Sequence, residues 1–211
     1  MAADRPRSSW FFDTWSGFYD LSAVQAAVYR PVHDAVLARL RGERLERVLD
    51  LACGTGLLTV RLKRDLGVPE VTGADYSAGM LEQARRDRDD IEWVRASASS
   101  LPFDDATLDA VTSTEAFHWF PDQPAALREC RRVLKPGGLL LVAFVNLDFP
   151  GLGDLAWTVS SALGQPARWP TTRQMRAMVE DAGLVVEDQT TVYRPFGMLM
   201  PPVLTVARKR S

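Results

Sequence analysis

"VLDLACGTGLLTVRL", residues 48–62, begins as a buried strand and ends as an amphipathic helix, with Gly54 and Gly56 in the turn between them. A strand that passes into a helix through a glycine turn is the opening of a βα unit. Glycine there permits backbone angles that other residues avoid, and it lets a ligand approach the chain without meeting a Cβ. Asp50 ends the apolar strand, where a carboxylate requires a partner. The stretch therefore poses a chemical question: which ligand suits bare backbone beside an acid.

Working outward, the same unit repeats. Apolar runs predict strands near Arg47 to Leu51, Glu70 to Ala74, Ile91 to Arg95, Leu108 to Ser113 and Leu139 to Val145. Helical spacing separates them, as a parallel sheet with crossover helices demands. The first helix carries Leu58, Leu62 and Leu66 on one face. The second starts at Ser77 as N-cap, points Met80, Leu81 and Ala84 inward and ends in a solvated charged run, "RRDRDD". The third, Gln123 to Leu134, stops at "KPGG", where Pro136 cannot continue a helix and two glycines allow a turn. Upstream, Ala23 to Leu40 reads as a long helix. Downstream, a helix capped by Thr171 or Thr172 precedes two β-type runs, Val185 to Tyr193 and Val203 to Ala207.

The totals bound the function. A chain of 211 residues, 46% hydrophobic, can close one core, so a single domain over 1–211 is expected. Within it, 1–44 forms a cap and helix, 45–145 the ligand-binding core, and 146–211 a lid and the last strands. With 25 basic against 27 acidic side chains there is no broad positive field for nucleic acid or an anionic membrane. The only two cysteines, Cys53 and Cys130, stand far apart and read as packing residues in a reduced compartment. The charged N-terminus lacks the apolar stretch of a secretory leader, and the run Leu139 to Val145 is too short to span a bilayer. These features predict a cytoplasmic protein acting on a small molecule, without stable membrane insertion.

The carboxylates select among small molecules. Asp75 ends the second strand, where an acid suits a ribose diol. Nicotinamide dinucleotides and S-adenosylmethionine both carry such a ribose, so the charge on the rest of the ligand decides. The loop has Asp50 beneath it, Glu115 follows the fourth strand into the same cleft, and no basic residue lies between Asp50 and Arg61. At an effective dielectric near 20, a unit charge about 4 Å from another is worth roughly 4 kcal/mol, favourable or unfavourable by sign. Two acids thus favour a sulfonium and an ammonium over a pyrophosphate. Thr59 stands where a dinucleotide fingerprint has its third glycine. No tyrosine has a lysine four positions later, since Tyr19, Tyr29, Tyr76 and Tyr193 are followed there by Ala23, His33, Met80 and Gly197.

With these residues in view, the chain resembles the class I S-adenosylmethionine-dependent methyltransferases, in particular the small-molecule branch of the ubiquinone and menaquinone methylases. The blocks that carry the resemblance are "VLDLACGTG", "VTGADYSAGML", "ASASSLPFDDATLDAVTST", "EAFHWF" and "LKPGGLLLV", in family order across roughly residues 45 to 145. It implies an α/β, Rossmann-like doubly wound seven-stranded sheet, mostly parallel with an antiparallel C-terminal strand and helices on both faces. It implies that Asp50, Ala52, Gly54 and Gly56 line the methionine half of the cofactor, with Glu115 facing the same cleft. Asp75 would hold the ribose hydroxyls, Tyr76 and Met80 would cover the adenine, and Ser97 with Ala98 would meet its edge. The family usually has an aspartate where Ser97 stands, so the adenine amino group would meet a neutral acceptor. In "FFDTWSGFYD", Tyr19 would lean over the cofactor. The remaining aromatics, Phe11, Trp15 and Phe18, read as packing of a lid helix.

His118 lies just after the fourth strand, and its ordinary pKa near 6.5 suits a base at neutral pH. It is the candidate catalytic residue, with a second reading as acceptor wall. His33, inside the N-terminal helix, reads as structural. Phe149, Trp157, Trp169 and the prolines from Pro150 to Pro170 stand where this fold builds its acceptor lid, which implies an apolar or aromatic acceptor; closure of the core or a subunit contact is the other reading. The expected cofactor is S-adenosyl-L-methionine, with no metal. A catalytically silent cofactor-binding regulator on the same scaffold stays open as a second function. Methylation of nucleic acid does not fit, because the only Pro-Pro pair, in "MPPV", lacks the flanking polar and aromatic residues of amino methylases.

Overall fold

The computed structural model describes residues 29–86, 88–146, 157, 158, 160–162, 167–193 and 201–210. Seven strands form one sheet: β1 (Arg47–Leu51), β2 (Glu70–Asp75), β3 (Glu92–Arg95), β4 (Leu108–Thr114), β5 (Leu134–Val145), β6 (Leu184–Thr191) and β7 (Pro202–Lys209). Their order is β3-β2-β1-β4-β5-β7-β6. The first five are parallel, and β7 runs antiparallel to both β5 and β6. β6 therefore points the same way as β1–β5, and the doubly wound, mostly parallel sheet with one antiparallel C-terminal strand, β7, agrees with the fold expected from the sequence.

Alternation along the strands builds two cores, one on each face. On β5, Leu140, Val142 and Phe144 join Leu49 and Leu51 of β1 in one cluster. Leu139, Leu141 and Ala143 join Val48 in the other. A strand buried on both sides reads as a continuous apolar run, which is why "LLLVAFV" and "VLDL" stand out. Helices α1 (Arg30–Leu40) and α2 (Leu57–Asp65) supply Val36, Leu37, Leu58 and Leu62 to the second cluster. Helices α4 (Gln123–Val133) and α5 (Thr172–Asp181) supply Leu127, Cys130, Met175 and Val179 to the first. The short α3 (Ala78–Ala84) packs on β2 and β3.

The helix boundaries follow local chemistry. Ser77 Oγ accepts from Met80 N–H at the start of α3. Thr171 and Gln174 form a reciprocal capping box on α5. Two expectations change. The "KPGG" segment is not a separate turn: Leu134 N–H caps α4 on Cys130 C=O and the chain enters β5 at once. The glycines are absorbed as an irregularity, so that β4 pairs Leu108 with Leu134 and then Ala110 with Leu139, around Gly137 at φ +78°. The charged run after α3 does not all stay in solvent either, because Arg88 folds back and donates to Thr55 C=O at 2.6 Å. The expected helix residues 23–28, the aromatics Phe11, Trp15, Phe18 and Tyr19, and Phe149 with Pro150 lie outside the described residues. No helix among the described residues is long and apolar enough to cross a membrane.

Candidate active site

The strand order reverses between β1 and β4, and in open parallel sheets a ligand crevice opens at the carboxyl ends of the strands there. A cavity occupies that place. Its floor is the turn from Ala52 to Thr55. Asp75, Tyr76 and Met80 line one side, Ser97 and Ala98 continue it, and Glu115 with Trp119 line the β4 side. Of the residues singled out in the sequence, Ala52, Gly54, Asp75, Tyr76, Met80, Ser97, Ala98 and Glu115 are brought together around this cavity. Asp50, Gly56 and His118 are not part of its lining, and Tyr19 lies outside the described residues.

The turn is held by named bonds. Cys53 N–H donates to Ala74 C=O at 3.0 Å, and Gly56 N–H closes the turn on Cys53 C=O at 2.9 Å. Gly54 N–H donates to Asp75 Oδ2 at 2.8 Å, while Ser77 N–H donates to Oδ1 at 2.8 Å. Asp75 thus ties β1 to β2 and still presents a carboxylate to the cavity, each oxygen keeping acceptor capacity. Ala52 at φ +56° and Glu115 at φ +60° are left-handed residues with side chains, both at this floor. Each such conformation costs of order 1–3 kcal/mol, and strain of this kind collects at functional sites.

The two glycines of the turn do different things. A Cβ on Gly54, at φ +56°, would point into open space, so its bareness serves the cavity. A Cβ on Gly56, at φ +78°, would overlap the Trp93 ring behind the turn. Gly54→Ala is therefore expected to lose about 1–2 kcal/mol of stability from backbone strain alone. Gly56→Ala adds a clash and is expected to lose about 3 kcal/mol or more. Urea unfolding of the two variants checks the order.

Asp50 lies beneath the turn, 1% exposed, and accepts from the Thr59 hydroxyl at 2.6 Å and the Thr112 hydroxyl at 3.1 Å. Burial pushes its carboxyl up to about 6, against the pull of those two donors. It is still largely ionised at neutral pH and places negative charge under the cavity floor without forming its surface. Desolvation raises the Cys53 thiol well above its ordinary range, in keeping with a packing role. Tyr76 is backed by Arg95, whose guanidinium carbon stands 5.5 Å from the ring centroid and whose Nε–H donates to Tyr76 C=O. The Ser97 and Ser99 hydroxyls lie 3.0 Å apart in one hydrogen bond.

His118, in a 3₁₀ turn over Phe117–Trp119, is buried with its ring stacked on Trp169, centroids 5.3 Å apart and planes at 17°. Its Nδ1 has no hydrogen-bond partner among the described residues, and burial lowers its pKa to about 4. Arg168 N–H donates to His118 C=O, and Gln123 Nε2–H donates to both Phe117 C=O and Arg168 C=O. The ring thus packs against the segment carrying Trp169 and against Trp119, which lines the cavity while His118 does not. The imidazole that does line the cavity is His33, which enters from α1 together with Tyr29. As sequence, His33 reads as structural because it lies inside the N-terminal helix, and in the structure it is indeed buried there beside Val32, Val36 and Leu37 while also lining the cavity. No local pattern marks a helix that covers a cavity built by distant strands. Among the described residues no cluster of side chains suits a metal ion.

Residues 49–142 match the family described as a methyltransferase domain. A demethylmenaquinone methyltransferase of Thermotoga maritima is 46% identical over 97 residues, 46% of this chain and 42% of that protein. A malonyl-[acyl-carrier protein] O-methyltransferase of Hahella chejuensis is 33% identical over 197 residues, 92% of this chain and 70% of that protein. Among solved structures, a chain of the Haloferax volcanii complex containing the Trm112 methyltransferase activator superposes with a TM-score of 0.79 at 26% identity, covering 95% of this chain and 98% of that one. The chain spans about half the length of several curated relatives that it matches. The motif blocks, the strand order with its reversal between β1 and β4, and a relative matched along nine-tenths of this chain agree: the chain belongs to the class I S-adenosylmethionine-dependent methyltransferases.

Proposed function

We propose that this chain transfers a methyl group from S-adenosylmethionine to a small, apolar or aromatic acceptor by in-line displacement. The observation that carries the reading is the Gly54 turn, bare toward the cavity, with Asp75 bonded to it and the buried carboxylate of Asp50 beneath. The residues fit the cofactor by their chemistry: a carboxylate for a diol at Asp75, apolar cover at Tyr76 and Met80, polar edge groups at Ser97, and negative charge where a cation would lie. When bound, the cofactor supplies a methyl carbon made electrophilic by a sulfonium.

The chain's own part is alignment. Walls that hold a nucleophile about 3 to 3.5 Å from that carbon and exclude water can lower the barrier by about 7–11 kcal/mol, without a covalent intermediate. Trp119 and Phe120 present aromatic surface to the cavity, which supports a planar or apolar acceptor. His118 serves as the wall behind Trp119, and where the acceptor carries a proton, His33 is the imidazole placed to receive it. The names of the demethylmenaquinone and malonyl-carrier methyltransferase relatives support a small-molecule or carrier-bound acceptor.

The test is thermal unfolding with saturating S-adenosylhomocysteine and, separately, NAD, followed by incubation with methyl-labelled S-adenosylmethionine and a metabolite extract. A ligand at 100 times its dissociation constant adds about 2.7 kcal/mol, roughly a 5–10 °C shift for a chain of this size. The shift is expected with S-adenosylhomocysteine alone, and label is expected in a small-molecule product. A shift with NAD only, or no labelled product, would overturn the reading.

A further inference from the structure

We propose that Trp93 and Arg88, neither of which lines the cavity, form a brace that holds the glycine turn in its ligand-binding shape and so sets cofactor affinity. The inference rests on the cofactor reading above and adds two positioning residues to it. Trp93 stands on the edge strand β3, paired with Gly73 of β2. Its ring covers the backs of both Gly73 and Gly56 so closely that a Cβ on either would overlap it. The indole Nε1–H donates to Arg88 C=O at 3.3 Å, and Arg85 Nη2–H donates to Trp93 C=O at 3.1 Å. From the same place the Arg88 guanidinium reaches the turn and donates to Thr55 C=O at 2.6 Å.

The peptide unit between Thr55 and Gly56 is therefore pinned at both ends. Its N–H is spent on Cys53 C=O and its C=O on a guanidinium. A peptide that leads into a glycine is among the easiest units of a chain to rotate, since Gly56 imposes little torsional resistance at its own φ. Were it to flip, the Thr55 carbonyl would turn toward Cys53 C=O in place of the Gly56 N–H, and the turn that floors the cavity would lose its closing bond. A hydrogen bond from a charged donor and an aromatic ring packed against two glycines oppose that flip from outside. This also explains the direction of Arg88: the one guanidinium bonded to the turn's backbone among the described residues is committed to a carbonyl on the far side, where it offers nothing to a phosphate in the cavity.

The experiment measures S-adenosylhomocysteine affinity by titration calorimetry, with urea unfolding and amide hydrogen exchange of the ligand-free protein, for Trp93→Ala, Trp93→Phe, Arg88→Ala and the double alanine variant. Each single alanine variant is expected to bind about tenfold more weakly and to exchange the Gly56 amide about tenfold faster. Trp93→Phe keeps a ring over both glycines and is expected within about threefold of wild type. The double variant is expected to lose little more than either single one, because the two side chains act as one device. A purely structural role would lower the unfolding midpoint and leave affinity and Gly56 exchange at wild-type values, and that result overturns the brace. A wild-type protein giving no heat with S-adenosylhomocysteine would overturn the cofactor reading and the brace with it.

Discussion

Asp75→Ala is expected to weaken S-adenosylhomocysteine binding by a hundredfold or more while leaving a folded chain. Two losses combine. The carboxylate faces the cavity at the end of β2, where a diol would give it two hydrogen bonds, and bonds to a charged acceptor are worth about 1.5–3 kcal/mol each. It also accepts the N–H groups of Gly54 and Ser77, so its removal loosens the turn and the start of α3 together. Asp75→Asn keeps one accepting oxygen but turns the other into a donor aimed at an N–H, so it is expected to fall between wild type and alanine. Calorimetry gives the affinity and circular dichroism the fold. Wild-type affinity in Asp75→Ala would remove the ribose assignment while leaving the family membership intact.

The fold was legible because its signals are local. Runs such as "VLDL" and "LLLVAFV" must be buried on both faces, and only a sheet with helices on each side does that. Ser77 and the Thr171–Thr172 pair announced their helices because a hydroxyl before an apolar repeat satisfies open N–H groups, and of the two threonines the structure selects Thr171 as the cap. The cavity floor was legible for the same reason: Gly54 lies in the turn that follows β1, Asp75 ends β2, and strand ends converge where the order reverses. What stayed hidden depends on distant pairs. Gly56 read as a ligand-side glycine, yet Trp93 from another strand explains its missing side chain. Arg88 read as solvated because its acceptor, Thr55 C=O, is 33 positions away. The sequence set His118 as the catalytic candidate and His33 as structural, and only the placement of α1 at the cavity, with Trp169 stacked on His118, shows that His33 lines the cavity and His118 does not.

Asp50→Asn and His118→Phe are expected to tilt the pH dependence of stability in opposite directions, by about 3 kcal/mol each. Burial raises the Asp50 carboxyl from 3.8 to about 6, so the folded chain holds a proton that the unfolded chain has lost. Its contribution is fully present below about pH 4 and disappears as pH rises through 6. Burial lowers the His118 imidazole from 6.5 to about 4, so the unfolded chain takes the proton first. That contribution is present above pH 6.5 and disappears as pH falls through 4. Each shift of about two units corresponds to about 3 kcal/mol, and between roughly pH 4 and 6 the two slopes oppose each other. Wild type should therefore show little net change from this pair across that window. Asp50→Asn leaves the His118 slope alone, so the variant gains stability relative to wild type as pH rises from 4 to 7. His118→Phe retains a ring against Trp169 and leaves the Asp50 slope alone, so it loses relative stability over the same range. Urea unfolding at half-unit intervals from pH 4 to 8 reads both, and two curves parallel to wild type would show that neither group titrates as its burial dictates. The same carboxylate links pH to ligand charge: a cation above the turn favours ionised Asp50. S-adenosylmethionine affinity is therefore expected to fall by up to about tenfold per pH unit below 6 in wild type and to lose that dependence in Asp50→Asn.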